Sequence, residues 1–373
     1  MQYPMVDLKT QYQRLKADLD REVIEVLEST QFIGGPKVNA FRDALAAWQG
    51  VKHVIPCANG TDALQIAMMA LGLQPGDEVI APAFTYVATA EVIGLLGLRP
   101  VMADVDPRTF NIDVAQLEAL LTPRTRAIVP VHLFGQSADM APILDFAQKH
   151  GLYVIEDNAQ AIGAEYTFGD GRRVKTGAMG RFGCTSFFPS KNLGCYGDGG
   201  ALMTNDDALA ERARMIANHG QSRQYYHDCI GLNSRLDAIQ AAILNVKLPH
   251  LDAFNTARRR AADYYDAAFA SLPALLTPAR APYSSHVFHQ YTLRVTDGQR
   301  DTLKEYLATR NIPAMIYYPV PLYKQEAFRH WHTGGELPIT EMLCREVISL
   351  PMHSEHTEAT LEAISQAVIS FWA

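Results

Sequence analysis

Between residues 53 and 205, apolar runs of strand length alternate with stretches whose apolar positions recur at helical spacing. Val54-Ile55-Pro56-Cys57 predicts a strand, and after it Leu64, Ala67, Met68 and Leu71 share one face of a helix. Glu78-Val79-Ile80-Ala81 predicts a second strand, followed by a helix from Ala88 to Leu96. Pro100–Ala103, Ala127–Val131 and Tyr153-Val154-Ile155 predict three more buried strands, with a helix over Pro142–His150 before the last. Thr185–Phe188 and Ala201–Thr204 complete a set of seven across a glycine-rich connection, and Asn205-Asp206 caps a helix running to about Ala217. This alternation predicts an α/β domain built on a mostly parallel seven-stranded sheet.

Beyond it the period changes. A long helical region, broken near Pro249, is expected from Asn233 to roughly Ala270. His289–Val295 and Ala314–Tyr318 then predict strands, and Asp301–Thr309, Glu341–Glu346 and Glu358–Phe371 predict helices. Leu8–Leu27 is helical as well. The expected division is a large domain over residues 1–250, with the N-terminal helical segment, and a smaller α/β domain over 251–373.

Composition narrows the function. With 373 residues, 48% of them hydrophobic, the chain can bury ample core without disulfides. A net charge of −7 argues against nucleic acid as a partner. Cys57, Cys184, Cys195, Cys229 and Cys344 are scattered and form no C-x-x-C pair, which suits a reducing compartment and argues against a zinc or redox motif. His286 with His289, and His330 with His332, lack the cysteine or carboxylate cluster that would complete a metal site. No metal is expected, and these histidines read as surface or substrate-pocket groups. The start lacks a basic segment followed by an apolar run, and nowhere do ~18 apolar residues run uninterrupted. A cytoplasmic protein without a membrane partner is expected.

Three local features carry candidate chemistry. Asn59-Gly60-Thr61-Asp62 follows a strand and opens a helix, where unpaired N–H groups bind phosphate. Gly60 would allow close approach and Thr61 would add a hydroxyl; a plain helix cap is the alternative. Val154-Ile155-Glu156-Asp157-Asn158-Ala159-Gln160 delivers Asp157 at a strand's carboxyl end, where open α/β sheets bind ligands. That carboxylate suits the pyridine nitrogen of pyridoxal phosphate, and Gln160 the ring hydroxyl; a helix-capping Asp is the alternative. Ser186-Phe187-Phe188-Pro189-Ser190-Lys191-Asn192 sets a lysine beside a buried aromatic strand, as a Schiff-base lysine requires, with Ser186 a phosphate partner. Gly197-Asp198-Gly199-Gly200 lacks the dinucleotide spacing, and no G-x-x-x-x-G-K-[ST] occurs.

In order along the chain, these residues resemble the DegT/StrS-type family of nucleotide-sugar aminotransferases, from Val6-Asp7-Leu8 to Leu350-Pro351-Met352-His353. Phe84-Thr85-Tyr86-Val87-Ala88-Thr89, Ser190-Lys191-Asn192-Leu193-Gly194 and Gly231-Leu232-Asn233-Ser234-Arg235-Leu236-Asp237 add to the match. The resemblance implies a fold type I aminotransferase, with Lys191 the Schiff-base lysine and Asp157 the partner of the pyridine nitrogen. It implies that Gln160 lies near the ring hydroxyl, Tyr86 stacks on the ring, and Gly60, Thr61 and Ser186 hold the phosphate. It further implies a homodimer with shared active sites, in which Asn233 reaches the phosphate from the other subunit. L-Glutamate would be the amino donor and a keto sugar on a nucleotide the acceptor, for amino-sugar and surface polysaccharide synthesis.

Cys184–Lys191 and Leu193–Gly200 are most similar to a narrower group that aminates a UDP-linked 2-acetamido-3-oxo-glucuronate. In that group's terms Arg235 would hold the sugar carboxylate through two parallel bonds, with Tyr317 and Tyr318 at the substrate. Tyr317 stands where the group usually has histidine. Two other readings compete: a sugar dehydratase on the same fold, whose relatives carry histidine in place of Lys191, and a regulatory protein that binds the cofactor without turnover.

Overall fold

Helix caps and strand pairing organise the chain, of which the computed structural model describes residues 3–332 and 334–373. Asp7 accepts from the Thr10 N–H to start α1 (Leu8–Ser29), and α2 (Gly35–Gln49) follows with a proline in its first turn. Next come β1 (His53–Cys57), α3 (Gly60–Ala70), β2 (Glu78–Pro82), α4 (Ala88–Leu95) and β3 (Arg99–Ala103). β4 (Thr125–Ile128), α5 (Met140–His150) and β5 (Tyr153–Asp157) continue the alternation. A hairpin of β6 (Glu165–Thr167) and β7 (Arg173–Lys175) precedes β8 (Phe182–Ser186), β9 (Gly200–Thr204) and α6 (Asp207–Ala217). A second hairpin, β10 (Gln221–Arg223) with β11 (Tyr226–His227), leads to α7 (Ala238–Lys247) and α8 (Leu251–Phe269). The chain closes with β12 (Leu275–Leu276), β13 (Tyr291–Val295), α9 (Arg300–Thr309), α10 (Pro338–Glu346), β14 (Val347–Leu350) and α11 (Glu358–Ile369).

Seven strands form one sheet in the order β1-β9-β8-β5-β4-β2-β3. Only β9 runs against its neighbours; every other pairing is parallel. Both faces are covered, as a parallel sheet requires. In β2, Val79 and Ala81 pack with Leu64, Met68 and Ile93 on one side, while Ile80 meets Met140 and Ile143 of α5 on the other. This is the expected α/β architecture. A separate core, centred on Tyr265, Tyr291, Leu307, Ile348 and Ile364, joins α8, α9 and α11 to the antiparallel sheet β12-β13-β14. Asp104, at the end of β3, ties the two parts together: it accepts from the Ile339 and Thr340 N–H groups at the start of α10.

Several expectations shift. The strand before Lys191 is Phe182–Ser186, three residues earlier than the apolar run suggested, because Phe188 has left the sheet to close a turn onto the Lys191 N–H. Residues 233–237 are extended, with bridges at Asn233 and Asp237, so the helix starts at Ala238. Ala314–Tyr318 forms no strand. Pro313 and Pro319 flank it without N–H donors, its one bridge is Met315 to Ser349, and Ile316, Tyr317 and Tyr318 pack towards Phe84 instead. His286 and His289 are not surface groups; both are buried. Among the described residues, no helix is long and apolar enough to cross a membrane.

Candidate active site

One end of the sheet gathers the candidate residues. The segments after β1, β2, β4, β5 and β8 all leave from carboxyl ends of mutually parallel strands. They enclose a cavity of ≈ 750 Å³. Gly60 and Thr61 enter it after β1, Tyr86 after β2, Asp157 and Gln160 from β5, and Ser186 and Lys191 from β8; Tyr317 and Tyr318 come from the C-terminal part. Nine of the eleven residues singled out in the sequence therefore share one cavity.

The remaining two do not. Asn233 and Arg235 are exposed, and Arg235 Nη1 lies 3.5 Å from Asn218 Oδ1, lining a separate groove with Arg42 and Arg214.

At the start of α3, the Asn59 side chain accepts from the Asp62 N–H and its carbonyl from the Ala63 N–H. The Gly60 and Thr61 N–H groups, one step earlier, have no intrahelical partner. A Cβ on Gly60 would stand 2.8 Å from Ser186 Cβ, so only glycine lets the helix start approach that hydroxyl. Asn59 thus caps the helix, and the cap leaves the Gly60 and Thr61 N–H groups without an intrahelical partner.

Asp157 is buried, and burial pushes its carboxyl above the usual range, although Thr89 and a backbone N–H favour the charged form. Thr89 Oγ1 donates to Oδ2 at 2.8 Å, and the Ala159 N–H to Oδ1 at 3.2 Å. Thr89 was not recognised in the sequence; its place four residues after Thr85 at the start of α4 was the available signal. Gln160 Oε1 accepts from the Phe134 N–H at 2.7 Å, and its Nε2 donates to the Tyr318 hydroxyl at 3.1 Å, which fixes the amide's orientation. Tyr86 is largely exposed to the cavity, 6.3 Å from the Tyr318 ring.

The neighbouring Glu156 plays a different part. It is fully buried and accepts from the N–H groups of Gly177, Met179 and Gly180. His132 Nδ1 accepts from the Ala138 N–H, so its Nε2 carries the proton and donates to Glu156 at 2.9 Å. Glu156 thus braces the strand end that presents Asp157.

Lys191 sits opposite in charge. Desolvation lowers its amine from 10.5 to about 8, against the pull of Asp157, which favours the ammonium. An amine so tuned is a ready nucleophile near neutral pH.

The family model for DegT/DnrJ/EryC1/StrS aminotransferases matches residues 13–369. The chain belongs to this family. Two relatives are each 47% identical to it: a UDP-2-acetamido-2-deoxy-3-oxo-D-glucuronate aminotransferase of Pseudomonas aeruginosa, matched over 97% of this chain and 98% of the relative, and a protein of Geobacillus stearothermophilus named a pleiotropic regulatory protein, over 100% and 99%. Among solved structures, S. venezuelae DesV in complex with a ketimine intermediate superposes with a TM-score of 0.95 at 39% identity, covering 99% of this chain and 98% of that one.

As a DegT-family aminotransferase, the chain is an enzyme that depends on pyridoxal phosphate. Its residues fit that group. The helix start with two N–H donors against Ser186 suits a phosphate, and the buried Asp157 carboxylate, which makes no ion pair within 4 Å among the described residues, suits a protonated pyridine. Among the described residues, no cluster of three or more His, Cys, Asp or Glu stands together as a metal site.

Proposed function

We propose that this enzyme moves the amino group of L-glutamate to a UDP-linked 3-oxo sugar, in amino-sugar and surface polysaccharide synthesis in the cytoplasm. The observation that carries the reading is the joint placement of the Lys191 amine and the Asp157 carboxylate in one cavity, opposite in charge and both desolvated. The 47% identity to the Pseudomonas aeruginosa enzyme supports the sugar.

When bound, pyridoxal phosphate supplies an aldehyde for the amine and an electron sink for the reacting carbon. The chain's residues do the rest. Gly60, Thr61 and Ser186 hold the phosphate, and Asp157 keeps the pyridine nitrogen protonated, itself held in place by Thr89. Tyr86 packs on the ring, and Gln160, fixed by Phe134 and Tyr318, meets the ring hydroxyl. Lys191 carries the cofactor and, once free, moves a proton to or from the substrate carbon through Nζ. Tyr317 and Tyr318 bound the substrate end.

We take the working unit to be a homodimer in which Asn233 and Arg235 of each subunit complete the other's cavity. Their exposure away from their own cavity supports this. Asn233 would reach the phosphate and Arg235 a sugar carboxylate. We also take residues 1–250 as the cofactor-binding domain and 251–373 as the small domain.

The test is spectroscopic. Visible absorbance of the bound cofactor should shift on adding L-glutamate alone, return on adding the UDP-linked 3-oxo-glucuronate, and yield an amino sugar. Absorbance that fails to return with the UDP-linked 3-oxo sugar would defeat the acceptor. The Geobacillus relative's name favours one other reading, a regulator without turnover, and a glutamate response with no aminated product would select it.

A pH prediction follows from Lys191. Only the unprotonated amine attacks an aldehyde, and in the cofactor-free protein its midpoint is about 8. Capture of pyridoxal phosphate, followed by absorbance, should therefore accelerate about tenfold per pH unit below that point and level off above it. A rate still climbing at pH 10 would show an ordinary, unshifted lysine.

A further inference from the structure

One polar group of the cavity has no role in the chemistry described so far. His289 lines the cavity but is only 4% exposed, and its Nδ1 has no hydrogen-bond partner among the described residues. The other ring nitrogen, Nε2, lies 3.5 Å from Gln290 Nε2. An amide NH2 can only donate. With the Gln290 amide donating to Nε2, the ring proton sits on Nδ1, and that N–H finds no acceptor among the described residues. Buried donors are nearly always paired in native proteins, so an unpaired one in a ligand cavity points to an acceptor on the ligand.

The backbone is arranged to hold this ring in place. Phe288, just before it, has φ 45°, a conformation that a bulky residue keeps only where its surroundings impose it. Two constraints do so. The His286 ring stacks on Phe288 at 3.9 Å, and Arg258 Nη1 donates to the carbonyls of Phe288 (3.1 Å), His289 (3.3 Å) and Met352 (3.0 Å). Asn192, directly after Lys191, donates to Val287 O at 3.0 Å and to Asn255 Oδ1 at 2.7 Å. Asn255 and Arg258 are three residues apart on α8 and share a face. The Lys191 turn and the His289 segment are thus fastened to one face of one helix. Burial, with the nearby charges of Lys191 and Arg258, keeps the imidazole neutral.

We infer that His289 contacts the reactant, donating a hydrogen bond from its neutral imidazole to an oxygen held in the cavity that Lys191 also lines. This rests on the aminotransferase reading above. The oxygen belongs either to a carboxylate of the amino donor or to the keto sugar, which the experiment separates.

The experiment compares holoenzyme carrying His289→Phe, which keeps a flat ring and loses the N–H, with His289→Gln, which keeps an N–H donor. Two unreactive probes are titrated at equilibrium against the cofactor's visible absorbance: glutarate for the donor and UDP-N-acetylglucosamine for the acceptor. Removing the donor should weaken one probe ~10-fold or more, with His289→Gln recovering much of the loss and thermal unfolding little changed. Loss for glutarate assigns the contact to the amino donor; loss for the nucleotide sugar assigns it to the acceptor. Wild-type affinity for both probes in His289→Phe overturns the inference, as does a loss confined to cofactor retention. Wild-type protein whose absorbance ignores L-glutamate would instead defeat the donor assigned under the proposed function, a separate result.

Discussion

Replacing Lys191 with alanine should lower transamination by at least roughly 10³-fold, the scale of a lost proton-transfer group. In the proposed mechanism the amine has two duties, holding the cofactor and moving the proton, and among the described residues no other lysine lines the cavity. The phosphate contacts proposed for Gly60, Thr61 and Ser186 would remain, so the variant should still bind pyridoxal phosphate, now with the absorbance of the free aldehyde. Folding should not suffer. Burial holds the wild-type amine at about 8, so the native state disfavours its charged form and alanine removes that cost. A cofactor-free melting temperature equal to or above wild type, measured at pH 7, checks this. Turnover within tenfold of wild type in a single-turnover assay with L-glutamate would overturn the role of Lys191.

Asp157→Asn should cost about 3 kcal/mol of transition-state stabilisation, or roughly 10²-fold in rate. The isosteric amide keeps a hydrogen bond to Thr89 within reach but removes the charge proposed to hold the pyridine nitrogen protonated. The cofactor-free protein should respond in the opposite sense. Burial raises the Asp157 carboxyl above its unfolded value, so the native state takes up a proton more readily than the unfolded chain does. That contribution to stability is present at low pH and is lost as pH rises through the native value; the asparagine variant lacks this loss. At pH 7 the cofactor-free variant should therefore melt no lower than wild type while its holoenzyme turns over slowly. A rate loss under tenfold would mean that another group protonates the ring. A variant that also loses its fold would mean that the carboxylate is structural.

The two substitutions separate what each residue contributes. If Lys191→Ala leaves the ring nitrogen's environment intact, the spectrum of free pyridoxal phosphate in its cavity should still differ from that in Asp157→Asn. Combined, they should not add, because both act on the same reacting carbon.

Local pattern made the sheet strands and most helices readable: β2, β3, β5 and β9 lie where apolar runs stand between turn residues. It failed where tertiary partners override propensity. α2 was not foreseen, since Gly34 and Gly35 blur its start and tertiary packing sustains it: Phe41 and Leu45 meet the sheet, and Val38 meets Ala238 and Ala242 of α7. β14 directly follows α10, and nothing in Val347–Leu350 marks a strand until β13 pairs with it. The stretch 314–318 has the composition of a strand, but prolines at both ends and a cavity to line decide otherwise.

The candidate site divides along the same boundary. Gly60, Asp157 and Lys191 were singled out in one dimension, because each reading rests on a short local setting: a helix start, a strand end, a turn after an aromatic strand. Thr89, Glu156, His132 and His289 could not. Their significance is a matter of what they meet across 24 to 68 residues or more of chain, a carboxylate in one case and no partner in another. Sequence alone thus determined the alternation of strands and helices, which rests on short-range spacing, and, through the family resemblance, the dependence on pyridoxal phosphate. Only the tertiary structure decided that nine of the named residues face one cavity while Asn233 and Arg235 face another way, and which buried groups go unpaired, because those are properties of packing and desolvation that exist only once distant segments have met.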